Sequence, residues 1–379
     1  MPLLAMFVAR AMMILAVIGS FSMYFYVTVL RFSPLLGRPR VVYLRPPTFQ
    51  WDRADHRNVI IVTDSPNDPN IIGDLFNQHP KVFYVEQPLY PFEMFKNLNY
   101  TRKSEYNGQV RAFLDNLFHC RLNGYRDYLT FLSHPRLSSP RFRLSSKALS
   151  SPPLCRKEVS TYTNESDFLK DCPLLNAKWV SIVCARKMHI VLSLYAKRAP
   201  GGVLAGLLPL MTSQSMATRV LHFVRDPRAV VWEMVSKDRH SEKNSHQLTT
   251  LENKIMKRCV QLNTDSDFLR SLPSDLAQQY QIIRYEDVGR NLVKTADIAF
   301  KFAGIDRTAE VNEYVKRQKP GINNDDDSSW RLAMDMRVVA MIDQHCAHVI
   351  EKLGYKPVLN KRTLRNLNYS LLDNNINVV

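Results

Sequence analysis

From Asn58 to Glu86 the chain changes hydrophobic pattern three times. Val59 to Val62 is an unbroken β-branched run, as expected of a strand covered on both faces. Polar turn-formers fill Thr63 to Asn70. Ile71, Ile72, Leu75 and Phe76 then recur at helical spacing, and a second apolar run follows from Val82 to Val85. The order strand, loop, helix, strand predicts a βαβ step of a parallel sheet, and hence an α/β fold. Ligands of such sheets sit at the carboxyl ends of the strands, so Thr63 to Asn70 is the first candidate site.

The same patterns continue downstream. Val110, Phe113, Leu114, Leu117 and Phe118 predict an amphipathic helix ending near Cys120. Val220 to Val224 reads as a buried strand, and Asp226-Pro227 opens a helix with proline in its first turn. Tyr280 to Tyr285 predicts another strand, followed by a helix from Leu292 to Phe302. Trp330 to Leu353 carries helical spacing throughout and stops at Gly354, a C-cap. Ser133 to Pro153, with Pro135, Pro140, Pro152 and Pro153 among serines, reads instead as a surface insertion.

Two stretches precede this domain. Ala11 to Leu30 is twenty residues without a charge, long enough to span a bilayer core and lacking a small-residue cleavage region. An uncleaved transmembrane anchor is expected there. Phe32 to Arg57 has four prolines and no apolar period, and reads as a stem. The positive-inside count of Arg31, Arg38, Arg40 and Arg45 against Arg10 favours a cytosolic domain, whereas sequons at Asn99, Asn164 and Asn368 are usable only in the secretory lumen.

Composition adds three points. The formal net charge is +16, which suits an anionic partner. The basic residues are dispersed, which argues against nucleic acid. Arg136, Arg141, Arg143, Lys147, Arg156 and Lys157, in and beside the insertion, are candidates to meet an anionic glycan, although such a run more often simply faces solvent. The six cysteines show no metal-type spacing, so disulfides are expected rather than a metal site, with Cys155 to Cys172 the favoured pair and buried thiols the alternative.

Four blocks resemble one family. They are Gly73 to Tyr84 (GDLFNQHPKVFY), VRDPRAV around Arg225, RYED from Arg284 to Asp287, and the ending LGYKPV from Leu353. Together they identify the chain as similar to the Golgi carbohydrate 6-O-sulfotransferases, as a divergent member. The resemblance implies a three-layer parallel sheet of the P-loop-like sulfotransferase type behind an N-terminal transmembrane helix. It implies 3'-phosphoadenosine 5'-phosphosulfate (PAPS) as sulfate donor, no metal, and a glycan acceptor containing galactose, N-acetylgalactosamine or N-acetylglucosamine. It also implies a single-pass type II protein of the Golgi membrane, which decides the orientation in favour of a lumenal domain. The expected divisions are 1–31 (cytosolic tail and anchor), 32–57 (stem), 58–358 (sulfotransferase-like domain, with an insertion at 133–178) and 359–379 (tail).

The resemblance also assigns residues, and there the chain departs from it. The family's loop reads S-x-R-S-G-S-S-F. Alignment on Gly73 puts Pro66 at the arginine, with Asn67, Asp68, Pro69 and Asn70 after it. Ser65, Asn67 and Asn70 remain as donor-binding candidates, together with Arg225, which matches the family's 3'-phosphate arginine. Glu233 stands where that arginine's partner serine is expected. Gln87 occupies the position of the family's base, with Glu86 beside it, and an amide cannot accept a proton. RYED is expected to be scaffold. Two functions stay open: an active sulfotransferase with a rebuilt site, or a catalytically silent protein of this fold that binds a glycan or a partner enzyme.

Overall fold

The computed structural model describes residues 55–65, 70–97, 103–133, 141–158, 160, 165–213, 216–238, 246–318 and 329–373. The expected anchor, nearly all of the stem, and Asn67 lie outside these residues. No helix among the described residues is long and apolar enough to cross a membrane.

Five parallel strands form one sheet: β1 (Arg57–Thr63), β2 (Val82–Glu86), β3 (His189–Tyr195), β4 (Arg219–Val224) and β5 (Tyr280–Arg284), in the order β2-β3-β1-β4-β5. The expected βαβ step is present, with α1 (Ile71–Gln78) between β1 and β2, although β3 is inserted between the two strands in space. Register is fixed by pairs such as Ile60 with Leu192 on one side and with Val220 on the other. Because β1 lies between β3 and β4, chain order reverses across it, and its carboxyl end is where sheets of this kind hold their ligands.

Alternation along the strands feeds two apolar layers. Ile60 and Val62 pack with α2 (Lys103–Phe118), α4 (His246–Ser271) and α7 (Met336–His345) on one face. Val59 and Ile61 pack with α1, α5 (Leu292–Ala303) and α6 (Ala309–Arg317) on the other. All four residues are fully buried. At about 1.5 to 3 kcal/mol for each such side chain, this explains why the run tolerates no polar residue. The helix α3 (Pro227–Asp238) starts at Pro227 as its sequence predicts.

Three expectations change. The single helix expected from Trp330 to Leu353 is instead three, Ser329–Ala333, Met336–His345 and Ala347–Lys352, because Asp335 caps a new start by accepting from Arg337 N at 2.8 Å. Gly354 still ends the last of them, with φ +72°. The insertion is not a bare surface loop. Arg143, 1% exposed, donates to the carbonyls of Leu149, Leu154 and Pro173, so it is withdrawn from the basic residues offered to a glycan. Residues beyond 358 also pack: Arg331 donates to the carbonyls of Thr363, Leu364, Asn366 and Tyr369, and Leu364, Leu371 and Leu372 are buried.

All six cysteines are paired, as Cys120–Cys184, Cys155–Cys172 and Cys259–Cys346. The last bond ties α4 to the carboxyl end of α7.

Candidate donor and acceptor site

At the exit of β1, Thr63 Oγ1 donates to the Ser65 carbonyl at 3.0 Å, turning the chain away from the sheet. Asp64 points back into the protein and is 1% exposed. Its Oδ1 lies 3.2 Å from His222 Nε2, and His222 Nδ1 lies 2.6 Å from Tyr280 Oη. Burial alone would raise the Asp64 carboxyl, but His222 and then Arg258 hold it below its ordinary value. Arg258, on α4, donates through Nη2 to the Asp64 carbonyl. None of these four residues was singled out in the sequence. The available signal was His222, a lone histidine inside the apolar run from Val220 to Val224.

Ser65 Oγ donates to Glu233 Oε2 at 2.6 Å, so the departure at Glu233 meets a donor-binding candidate directly. Ser236, one turn further along α3, donates to the Glu233 carbonyl at 3.3 Å. Arg225 stands at the exit of β4 with its guanidinium carbon 4.8 Å from the centroid of the Tyr285 ring.

Asn70 is the N-cap of α1. Its Oδ1 accepts from Gly73 N at 3.0 Å, and its Nδ2 reaches Tyr84 Oη at 2.5 Å. An amide oxygen therefore occupies a backbone donor that a helix start offers to anions. A Cβ on Gly73 would come within 2.3 Å of Tyr84 Oη, so only glycine fits there. Asp74, in the first turn, has its carboxyl pushed up to about 6 by burial and then by the nearby Glu86.

Glu86 and Gln87 are directed apart. Glu86 is the last residue of β2 and electrostatically coupled to Asp74, on the α1 side of the sheet. Gln87 leaves the strand with φ +48°, and its side chain is buried. Gln87 Oε1 accepts from Tyr195 N at 3.2 Å and from Arg198 Nη1, while Arg198 Nε donates to Glu93. The Arg198 guanidinium also lies 5.0 Å from the Tyr90 ring centroid. The amide at the base position is thus part of a satisfied buried network.

RYED serves as scaffold. Arg284 grips Asp287 at 2.7 Å, and Glu286 accepts from Asp226 N at 2.9 Å and from Tyr355 Oη at 2.6 Å. Asp226 in turn pairs with the fully buried Arg228 at 2.8 Å. Next to this scaffold lies a cavity of about 210 Å³ lined by Asp226, Glu286, Trp330, Arg331 and Tyr369. No cluster of His, Cys, Asp and Glu suited to a metal occurs among the described residues.

For an anionic donor the described residues fit in part. Arg225 and Arg258 bring guanidinium groups to the carboxyl ends of β4 and β1, and Arg258 Nη1 is buried without a hydrogen-bond partner among the described residues. The Glu233 carboxylate opposes an anion at the same place.

No family model matches the chain. Curated relatives do. Carbohydrate sulfotransferase 1 of Danio rerio is 24% identical over 363 residues, covering 86% of this chain and 84% of that protein. Its counterpart in Rattus norvegicus is 25% identical, covering 86% of each. Carbohydrate sulfotransferase 3 of Tetronarce californica is 25% identical, covering 84% of this chain and 77% of the relative. Solved structures are matched at low scores: the sulfotransferase domain from the Synechococcus PCC 7002 olefin synthase at 15% identity and TM-score 0.37, covering 78% of this chain and 98% of that one. A sulfotransferase, STF9, from Mycobacterium avium matches at 11% and TM-score 0.39, covering 83% and 79%. Likenesses at such scores carry no weight here. The sequence relatives, matched over most of their own length, do: the chain is similar to the carbohydrate sulfotransferases over 84–86% of its length, at the identity of a divergent relative.

Proposed function

We propose that this protein transfers a sulfuryl group from PAPS to the 6-hydroxyl of a galactose, N-acetylgalactosamine or N-acetylglucosamine residue in a glycan. The observation that carries the reading is the extent of the sequence match, which spans 86% of the chain rather than one block. Such a transfer needs an in-line hydroxyl, a proton acceptor, and cations or N–H donors for the anionic groups. Arg225 and Ser65 are assigned to the donor, with Asn70 placing the start of α1 and Asn67 in the loop between. Proton acceptance falls to Glu86, since Gln87 cannot take a proton; Gln87 instead fixes Arg198 and the backbone at Tyr195. PAPS brings the activated sulfuryl group, and no metal is required.

We place the domain in the Golgi lumen, anchored as a type II protein by Ala11 to Leu30. The support is the uncharged twenty-residue run and the three sequons. A second reading, a silent glycan- or partner-binding protein, is favoured by one observation: the Glu233 carboxylate bound to Ser65 at the donor site.

The deciding experiment is calorimetric titration of the purified protein with the spent nucleotide, 3'-phosphoadenosine 5'-phosphate (PAP), alongside labelled sulfate transfer from PAPS to glycans bearing the three sugars. Binding with transfer is the expected result. Binding without transfer supports the silent reading, and no binding removes the donor assignment.

A further inference from the structure

We propose that Arg258 supplies the cation that the donor loop lacks, contacting the 5'-phosphate end of the nucleotide from the α4 side of the sheet. The inference rests on the donor-site reading above and adds a residue to it. The loop itself carries Pro66 where an arginine is expected, and Asp68 adds a negative charge. A replacement has to come from elsewhere in the fold.

Arg258 is in the right place. Its Nη2 bond to the Asp64 carbonyl fixes the guanidinium at the carboxyl end of β1, the strand across which chain order reverses. It is 5% exposed, and its Nη1 has no hydrogen-bond partner among the described residues. A buried guanidinium N–H left unmet is costly, and such a cost persists most readily where a ligand meets it. The Asp64 carboxylate does not quench this charge alone, because it is shared with His222. Lys197, just past β3 and exposed, is a second cation nearby: burial and then Arg258 lower its ammonium. Two like charges near one another repel, and an anion between them relieves that repulsion. The neighbouring Cys259–Cys346 bond holds this turn of α4 against the end of α7.

A purely structural Arg258, acting only as a strut to Asp64, predicts something different. PAP and adenosine 3'-monophosphate differ in the 5'-phosphate, so the pair isolates the contact. Wild-type protein should bind PAP more tightly than adenosine 3'-monophosphate. In Arg258→Gln the PAP affinity should fall by about tenfold to a hundredfold, as for a charge-assisted phosphate contact, with the 3'-monophosphate affinity within about twofold of wild type. Arg258→Lys should recover part of the loss. Equal loss for both nucleotides, or no loss for either, overturns the inference while leaving the donor reading intact. Failure of the wild-type protein to bind PAP overturns both. Should Arg258→Gln not fold, the exposed Lys197→Gln serves: about a twofold to fivefold loss confined to PAP is expected, and an unchanged ratio between the nucleotides overturns the proposal.

Discussion

Ser65, at the exit of β1, and Glu233, on α3, are joined by a 2.6 Å hydrogen bond across 168 residues of sequence. One departure from the family pattern therefore acts on another part of the site rather than alone. The Glu233 carboxylate both ties down Ser65 and sets a negative charge at the exit of β1.

Glu233→Ser should strengthen PAP binding. Removing a like charge and freeing the Ser65 hydroxyl is expected to contribute on the order of 1 to 3 kcal/mol, a gain of about fivefold to over a hundredfold by calorimetry. An affinity equal to that of wild type would show that this hydrogen bond is remote from the nucleotide.

At Gln87 the expectation concerns stability. Gln87→Leu leaves the Tyr195 N–H and one Arg198 N–H without their acceptor, and should cost about 1 to 3 kcal/mol in urea unfolding. Gln87→Glu keeps both bonds and should fold with nearly unchanged stability. A destabilised Gln87→Glu alongside a stable Gln87→Leu would contradict the network described for Arg198.

Asp74 makes the fold sensitive to pH. Its carboxyl, at about 6 in the folded protein against 3.8 for the ordinary group, binds a proton more readily folded than unfolded. Stability from this group is then fully present below about pH 4 and lost as pH rises through about 6. Asp74→Asn should flatten the dependence of unfolding free energy on pH between 4 and 6.5, and should be the more stable protein at pH 7. A slope unchanged by the substitution would reassign the effect to other groups.

The disulfides should rank by the length of chain they close. Cys259–Cys346 spans 87 residues and Cys155–Cys172 spans 17. Loop-closure entropy puts their removal at about 4.5 and 3 kcal/mol respectively. Double alanine variants compared by thermal unfolding should show the larger drop in Tm for the pair that joins α4 to α7. The reverse order would mean that packing around Arg143 depends on the shorter bridge more than chain entropy does.

What was legible in the sequence is what depends on near neighbours. The strands at Val59 and Val220, the helix start at Pro227 and the scaffold role of Arg284 with Asp287 follow from spacing and capping within a few residues. The break at Asp335 was equally local, and was hidden by apolar spacing that continues across it. Arg143 was misplaced because a proline-rich segment reads as solvated, and nothing in its sequence shows several carbonyls turning toward one guanidinium. The Asp64, His222 and Tyr280 chain and the Arg258 contact were beyond reach for another reason. They join residues 158, 58 and 194 positions apart, brought together only once the strands have found their order.

That strand order also sets the timing of synthesis. β1 is made first among the strands yet occupies the middle of the sheet, and its partners β3 and β4 begin only at His189 and Arg219. At ribosomal rates of about 5 to 20 residues per second, roughly 8 to 30 seconds pass between completion of β1 and the start of β4. Until β3 is complete at Tyr195, Val59 to Val62 has two unsatisfied edges, and the edge that β4 covers stays open until the end of the interval. A nascent chain of this protein therefore carries an apolar, edge-exposed strand unprotected for about two-fifths of its elongation, and depends on whatever shields it until the second half arrives.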